Sequence, residues 1–256
     1  MKGLRSAVAV AVLAGTVLAC ADDEASKPTT VRVFAASSLR DAFADIEATY
    51  EQKHPDVDVE MVFAGSQVLR LQIEHGANVG VFASAHLDHL TALHRQGRMA
   101  PPVPFAKNQL AILVPTTSTW TSLADLASVR RIVVGDPASP IGRYTDDLWR
   151  RARNAVGDDL VNHLLSTIVS RESNVRLLRA KVELGAVDAA VCYRTDALSS
   201  TKVRALPLPD GAAVDVTYHV APVADGGLAP DAFVRFLRGA DGQAVLQRHG
   251  FAPGVP

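Results

Sequence analysis

From residue 31 almost to its end, the chain alternates short β-rich segments with segments whose apolar residues recur at helical spacing. Residues 31–35 form the first β-rich run, and Leu39, Phe43 and Ile46 follow at positions that share one helix face. Such alternation is typical of an α/β fold with a mostly parallel sheet covered by helices. This pattern restricts the possible folds far more than the length of 256 residues does.

The remaining segments can be assigned in the same way. We predict further strands at residues 57–63, 79–83, 109–115, 131–134, 187–193 and 214–220. Helices are predicted after the first two strands and around residues 87–93. Later helices are predicted at residues 143–155, 158–168, 175–184 and 228–249, the last range containing one or two helices.

The first 30 residues differ in composition from the rest. Lys2 and Arg5 precede an apolar run at residues 7–18, which is too short to span a hydrocarbon core of about 30 Å and is typical of an export signal. Val-Leu-Ala-Cys at residues 17–20 resembles the lipobox of bacterial lipoproteins, which implies a signal peptide of residues 1–19 and lipidation of Cys20. Ordinary cleavage near Ala19 or Ala21 is the alternative. Residues 20–30 are polar and predict a flexible tether to the outer face of a membrane.

The charge balance argues against one class of partner. With 26 basic and 27 acidic residues, the net charge is −1, whereas proteins that bind nucleic acid normally carry a basic excess. Two cysteines cannot form a disulfide framework. Cys192 lies in an apolar run, so we predict that it is a buried structural thiol.

Small polar groups follow several predicted strands. Ligands of open α/β sheets bind at the carboxyl ends of strands, against helix N-termini whose free N–H groups attract anions. Few of the groups at these positions are charged, so the sequence predicts an anion site built from neutral donors. Such a site prefers an anion without a proton to share, such as sulfate, molybdate or tungstate. The groups concerned are Ser37, Ser38, Gly65, Ser66, residues 135–142, residues 173–174 and Tyr193.

Other kinds of site have weaker sequence support. His86, His89 and His94 could indicate a metal site, but no further ligand at a recognisable spacing completes one, so we interpret them as a solvated helix face. An adjacent pair of tyrosines would indicate a ferric-ion site, and the sequence contains no such pair. Neither Ser38 nor Ser66 lies in a Gly-x-Ser-x-Gly sequence, and no Walker A or Gly-x-Gly-x-x-Gly sequence is present. We therefore expect no enzymatic activity, and a secreted lipoprotein enzyme is the alternative class.

Short motifs occur in a fixed order along the chain after the leader. Phe-Ala-Ala-Ser-Ser-Leu at residues 34–39 is followed by Phe-Ala-Gly-Ser at residues 63–66. Further motifs lie at residues 76–85, 134–144, 174–176, 185–197, 218–221 and 249–251. This ordered set resembles the periplasmic molybdate-binding proteins of ABC transporters, and the resemblance extends over almost the whole chain after the leader.

The resemblance implies the type II periplasmic-binding-protein fold. In this α/β fold each of two lobes is a mostly parallel sheet flanked by helices, and two crossover strands form the hinge. The first lobe would be discontinuous, with residues 31–107 and 221–256, and the second would comprise residues 108–220. An oxyanion would bind between the lobes, and its ligands would be Ser38, Ser66, Ile141, Val175 and Tyr193, with hydroxyls from the serines and the tyrosine and backbone groups from the other two.

The same resemblance implies binding without catalysis. The expected ligand is molybdate, with tungstate also accepted, and sulfate or another oxyanion is the alternative. Molybdenum would be bound only as molybdate, by the same oxyanion-binding residues, and no cofactor is expected. The expected partners are an ABC permease and the membrane that holds the lipid anchor, with no nucleic acid. We expect a monomer in the cell envelope, periplasmic or on the outer face of the cytoplasmic membrane.

Overall fold

The computed structural model describes residues 27–254. Its strands are β1 (Thr29–Ala36), β2 (Val57–Ala64), β3 (Val81–Ser84), β4 (Val103–Pro115), β5 (Ile132–Gly135), β6 (Ile168–Glu172), β7 (Ala189–Tyr193), β8 (Val203–Leu206), β9 (Asp215–Pro222) and β10 (Ala252–Pro253). Its α-helices are α1 (Arg40–Lys53), α2 (Ser66–Glu74), α3 (Leu87–Arg95), α4 (Pro140–Val156), α5 (Asp158–Ser166), α6 (Val175–Glu183), α7 (Arg194–Leu198), α8 (Leu228–Arg238) and α9 (Ala240–Arg248). Short 3₁₀ helices cover Ser37–Leu39 and Ala124–Ser128. The predicted signal peptide, Cys20 and most of the predicted tether lie outside the described residues.

The strands form two sheets that share β4. In the first sheet, β1 pairs in parallel with β2 and β3, while β9 pairs antiparallel with β3 and with residues 103–109 of β4. In the second sheet, β5 pairs in parallel with β6 and β7, while residues 110–115 of β4 pair antiparallel with β7 and β8. Among the described strands, every antiparallel pairing involves β4 or β9, which lie at the junction of the two sheets.

Helices cover both faces of the first sheet. Successive residues of β1 point to opposite faces, so Val33 packs in one cluster with Phe43 of α1, and Phe34 packs in another with Leu69 of α2. A strand that is buried on both faces reads as a continuous apolar run, which explains the sequence of β1. In the second lobe α4 and α6 pack on β5 and β7.

The predicted fold class is confirmed: the chain forms two α/β lobes, and strands β4 and β9 connect them. The lobe boundaries at residues 107/108 and 220/221 stay a prediction. Among residues 27–254, no helix is both long enough and apolar enough to cross a membrane.

Several predicted elements have different bounds in the structure. Strand β1 begins at Thr29, two residues before the predicted start, because its first residues pair with β2. The helix predicted to end at Ile168 ends at Ser166, because Ile168 is the first residue of β6 and pairs with Ile132 of β5. Residues 228–249 form two helices, α8 and α9, and Gly239 lies between them. Strands β6 and β8 and the short helix α7 are absent from the sequence-based prediction.

Candidate functional site

One cavity between the two lobes lies at the carboxyl ends of the parallel strands. It is lined by all five residues predicted to bind an oxyanion: Ser38, Ser66, Ile141, Val175 and Tyr193. Its other lining residues are Ala36, Ser37, Gly65, Ala85, Ser139, Pro140, Ser173 and Asn174. None of these described lining residues has a charged side chain.

The strand order explains why distant parts of the chain meet here. Ser38 follows β1 and Ser66 follows β2, so both lie at the same edge of the first sheet. Ile141 follows β5, Val175 follows β6, and Tyr193 is the last residue of β7 in the second sheet. Carboxyl ends of neighbouring parallel strands meet at one edge, and the two edges face each other across the cavity.

At the N-termini of α4 and α6 in the second lobe, one backbone N–H of each helix has no hydrogen-bond partner in the described chain. In α4 the Ser139 side chain accepts a hydrogen bond from Gly142 and Pro140 has no N–H, which leaves the N–H of Ile141 without an intrahelical partner. In α6 the Asn174 side chain accepts from the second and third residues, which leaves the N–H of Val175. Ile141 and Val175, the two residues predicted to bind through their backbone, therefore each have an N–H that is available to a ligand.

The three hydroxyl groups predicted to bind the anion are buried and differ in their hydrogen-bond partners. Ser66, which is 1% exposed, accepts a hydrogen bond from the Ala85 N–H at 3.2 Å. Ser38, 7% exposed, lies 2.9 Å from the Tyr218 hydroxyl. Tyr193 is 1% exposed, and its hydroxyl has no hydrogen-bond partner within the described chain. Burial raises the pKa of Tyr193 well above its usual value, so the group keeps its hydrogen at neutral pH.

Side chains around the cavity hold the two lobes together. The Gln67 amide donates to the carbonyl oxygen of Ser173 at 2.8 Å. The Arg176 guanidinium spans the cleft to the Asp41 carboxylate at 2.6 Å.

The opposite side of the cavity is bridged as well. The Tyr144 hydroxyl donates to the carbonyl oxygen of Ala85 at 3.1 Å, and Arg143 pairs with Asp88 at 2.8 Å. Contacts of this kind on both sides indicate that the structure describes the closed arrangement of the lobes.

Sequence reasoning did not identify all of the site. It did not include Ala85, whose N–H holds Ser66, or Tyr218 as the partner of Ser38. The sequence signal for Tyr218 was its place in a motif of the resembled family, which says nothing about a contact. Residues 139 and 173 fall in segments that were singled out, although without an assigned role.

One residue of the histidine cluster, His89, does not match its predicted surroundings. His89 is buried and burial lowers its pKa to about 4, so the interpretation of this segment as a solvated helix face is wrong for this residue. The reason is that α3 packs against α2 and β9. The His86 ring lies 5.3 Å from the Tyr144 ring across the cleft. Within residues 27–254, no group of three or more His, Cys, Asp or Glu side chains could hold a metal ion.

Cys192 fits its predicted environment. The thiol is fully buried in β7, and burial raises its pKa well above the ordinary value. A buried thiol with a raised pKa is a poor nucleophile, which agrees with a structural role.

Two lobes that close over a cavity lined by neutral hydrogen-bond donors define a ligand-binding protein of the two-lobed periplasmic type. Comparison of the sequence with known families agrees with this class. The chain matches the bacterial extracellular solute-binding proteins over residues 31–252 and belongs to that family.

Individual relatives refine this result. The molybdate-binding protein ModA of Mycobacterium tuberculosis is 32% identical, over 98% of this chain and 98% of its own length. This match confirms the predicted resemblance to the molybdate-binding proteins of ABC transporters.

Two solved structures have the same fold. The periplasmic molybdate-binding protein of Azotobacter vinelandii has a TM-score of 0.73 at 16% identity, over 88% of this chain and 99% of that chain. The sulfate-binding protein SubI of M. tuberculosis has a TM-score of 0.76 at 16% identity, over 89% and 88%. At this level of identity, both likenesses concern the fold alone.

Proposed function

We propose that this protein is the substrate-binding component of an ABC importer for molybdate, and that it also accepts tungstate. The anion would lie in the inter-lobe cavity, bound by Ser38, Ser66 and Tyr193 through their hydroxyls and by Ile141 and Val175 through their N–H groups. The two lobes would comprise residues 31–107 with 221–256, and residues 108–220. Ligand binding would stabilise the closed arrangement, because only that arrangement brings donors from both lobes to one ion.

The observation that carries this proposal is the Tyr193 hydroxyl. It is buried at the cavity without a partner in the described chain. A buried polar group without a hydrogen bond costs about 1–3 kcal/mol, so a folded protein keeps one where a ligand supplies the partner. The hydroxyl can donate to an oxyanion, and the free N–H groups of Ile141 and Val175 line the same cavity. Neutral donors and helix N-termini are sufficient to bind a dianion.

Two observations favour binding over catalysis. Within the described chain, neither Ser38 nor Ser66 is hydrogen-bonded to a histidine or a carboxylate that could act as a general base. The family to which the chain belongs is defined by solute binding. A bound anion should therefore be released unchanged.

The identity of the anion rests on the relatives. The ModA relative covers the full chain, and its name states that it binds molybdate. The sulfate-binding protein SubI has the same fold, so sulfate is the second candidate.

Thermal unfolding in the presence of different anions tests this proposal. Residues 27–256 would be heated with molybdate, tungstate, sulfate or phosphate at equal concentration. A ligand at about 100 times its dissociation constant adds about 2.7 kcal/mol to the free energy of unfolding. We expect molybdate and tungstate to raise the unfolding midpoint most. A higher unfolding midpoint with sulfate alone would identify sulfate, and not molybdate, as the ligand. An unchanged midpoint with every oxyanion would contradict the proposal.

Replacement of Tyr193 by phenylalanine tests the hydroxyl directly. Tyr193→Phe should leave the midpoint of the unliganded protein unchanged or raise it, because the variant no longer buries an unpartnered hydroxyl. Affinity for molybdate, measured by calorimetric titration, should fall about tenfold through loss of one hydrogen bond to the anion. Equal affinities of variant and wild type would remove Tyr193 from the site.

We also propose that lipidated Cys20 anchors the protein in the cell envelope, near a permease that receives the loaded form, and that the chain works as a monomer. Cys20→Ser should move the protein from the membrane fraction to the soluble fraction after export. Cys192→Ala is the matched control, since the thiol of Cys192 is buried within β7. Continued membrane association of Cys20→Ser would contradict the anchor.

A further inference from the structure

His86 lies at the cleft between the lobes and directly follows a residue of the cavity. Ala85 lines the cavity, and its N–H donates to the Ser66 oxygen. Its carbonyl oxygen accepts from the hydroxyl of Tyr144 in the second lobe. The His86 ring lies against the ring of the same tyrosine, with centroids 5.3 Å apart. The segment that holds a proposed anion ligand therefore continues into a side chain that contacts the opposite lobe.

The cap that His86 provides to α3 requires a neutral ring. His86 precedes the first residue of α3, and its Nδ1 atom accepts a hydrogen bond from the N–H of Asp88 at 3.2 Å. A backbone N–H can only donate, so Nδ1 carries no hydrogen and the hydrogen of the ring is on Nε2. A protonated ring carries a hydrogen on both nitrogens and cannot accept this bond.

A proton on His86 would also disturb the ion pair that bridges the cleft on this side. The Asp88 carboxylate pairs with Arg143 of α4 at 2.8 Å, and the same carboxylate oxygen lies 3.6 Å from Nδ1 of His86. A protonated Nδ1 would donate to that oxygen and compete with Arg143 for it. It would also bring a second positive charge close to the Arg143 guanidinium. Protonation of His86 therefore weakens contacts that hold the lobes closed.

The surroundings of His86 disfavour its charged form. Burial is the largest effect and lowers the pKa of His86. The Asp88 and Asp147 carboxylates raise this pKa and the Arg143 guanidinium lowers it, with a net shift downward. His89 is buried where α3 packs against α2 and β9, and burial lowers its pKa to about 4, so it stays neutral in mild acid. The other titratable or charged side chains on elements around this pair are Tyr144 of α4, Arg70 of α2 and His219 of β9.

We propose that His86 is a positioning residue for closure of the lobes, and that its protonation in mild acid favours the open arrangement and release of the anion. The neutral ring caps α3, packs on Tyr144 and leaves the Asp88 carboxylate to Arg143. It thereby stabilises the arrangement in which donors from both lobes meet. This inference rests on the proposed function and adds a regulation of its site.

Closure should lose stability as the pH falls. Opening moves α4 away from the His86 ring, so the pKa of the ring returns toward its ordinary value of about 6.5. The closed arrangement binds this proton less tightly than the open one, so its stability is complete above about pH 6.5 and declines as the pH falls through that value. Anion binding should therefore release up to one proton near pH 6. The negative charge of the anion acts in the opposite direction, so the sign of the proton exchange is decisive.

Calorimetric titration in buffers of different ionisation enthalpy measures both the dissociation constant and the protons exchanged. Molybdate and sulfate would be titrated into the full-length protein and its variants. The test variant is His86→Asn, since asparagine is a good N-cap and does not titrate. His94→Asn is the matched control, because His94 lies on the same helix and its ring bonds to the carbonyl oxygen of Met99 in the same lobe. His219→Asn tests the histidine of β9.

For the wild type and His94→Asn, we expect the dissociation constants to rise by about tenfold between pH 7.5 and pH 5.5, with proton release on binding near pH 6. The constants of His86→Asn should change by less than about threefold, without proton release. Protonation of the anion itself affects every variant equally and cancels in the comparison. Sulfate remains a dianion over this range and provides a second check.

Three results would overturn the inference and leave the proposed function intact. These are an equal pH dependence in the wild type and His86→Asn, proton uptake by the wild type, and a pH dependence that disappears in His219→Asn but persists in His86→Asn. A wild-type protein that binds neither anion at pH 7.5 would overturn both. The unliganded unfolding midpoints report separately whether the variants are folded.

Discussion

Gly65→Ala should lower the affinity for molybdate by about 100-fold while leaving each lobe folded. Gly65 precedes α2 in the first lobe, and a Cβ placed there would overlap the carbonyl oxygen of Ser173 in the second lobe. That oxygen belongs to the backbone, so it cannot rotate away. The overlap with Ser173 arises only when the lobes are closed, whereas the Gln67 amide, which the Cβ would meet at 2.6 Å, is the end of a side chain and can move. The variant should therefore be blocked in the step that completes the site.

The conformation of Gly65 allows a clear control. Its φ of −62° and ψ of 139° are open to alanine, so the substitution introduces no backbone strain. The unliganded unfolding midpoint should match that of the wild type, while the rise produced by molybdate should be lost. Gly239→Ala is the matched variant, because a Cβ there meets only carbonyl oxygens of α8, the nearer at 3.2 Å. Wild-type affinity in Gly65→Ala would contradict closure over the anion.

Removal of both serine hydroxyls should have a comparable effect. Ser38→Ala and Ser66→Ala should each weaken anion binding by about 1–3 kcal/mol, the cost of one hydrogen bond to a charged group. The double variant should lose at least about 30-fold in affinity, since two donors to one dianion are absent. Calorimetric titration with molybdate measures all three variants.

Ser84→Ala is the control for these substitutions. Ser84 is buried on β3, and its hydroxyl donates within the first lobe to the carbonyl oxygen of His86. This variant should lose stability and keep its affinity for molybdate. Unchanged affinity in both Ser38→Ala and Ser66→Ala would remove the proposed site.

Much of the fold could be predicted because each lobe follows local rules. The buried run of β1 and the helical spacing of α1 lie next to each other in sequence, and their order indicates a parallel strand and its covering helix. The same order places Ser38 and Ser66 at strand ends, next to helix N-termini whose first N–H groups have no partner within the helix. The five predicted site residues meet at one cavity for this reason, although their role as ligands stays a prediction.

The rest depends on contacts between distant segments. The bond between Ser38 and Tyr218 joins residues 180 positions apart, and no periodicity indicates it. The burial of His89 depends on how α3 packs against α2 and β9. Strand β6 is short and only half-buried. Its sequence therefore lacks the continuous apolar run of a buried strand, and the sequence-based prediction assigns its first residue to the preceding helix. In each case the observed feature depends on tertiary packing, which the local sequence does not indicate.

The most direct test of the central claim is a crystal structure of the protein with molybdate, in which the anomalous scattering of molybdenum locates the ion. We expect one strong peak in the inter-lobe cavity, with anion oxygens within hydrogen-bonding distance of the hydroxyls of Ser38, Ser66 and Tyr193 and of the N–H groups of Ile141 and Val175. A peak elsewhere, or an empty cavity in crystals grown at saturating molybdate, would contradict the account.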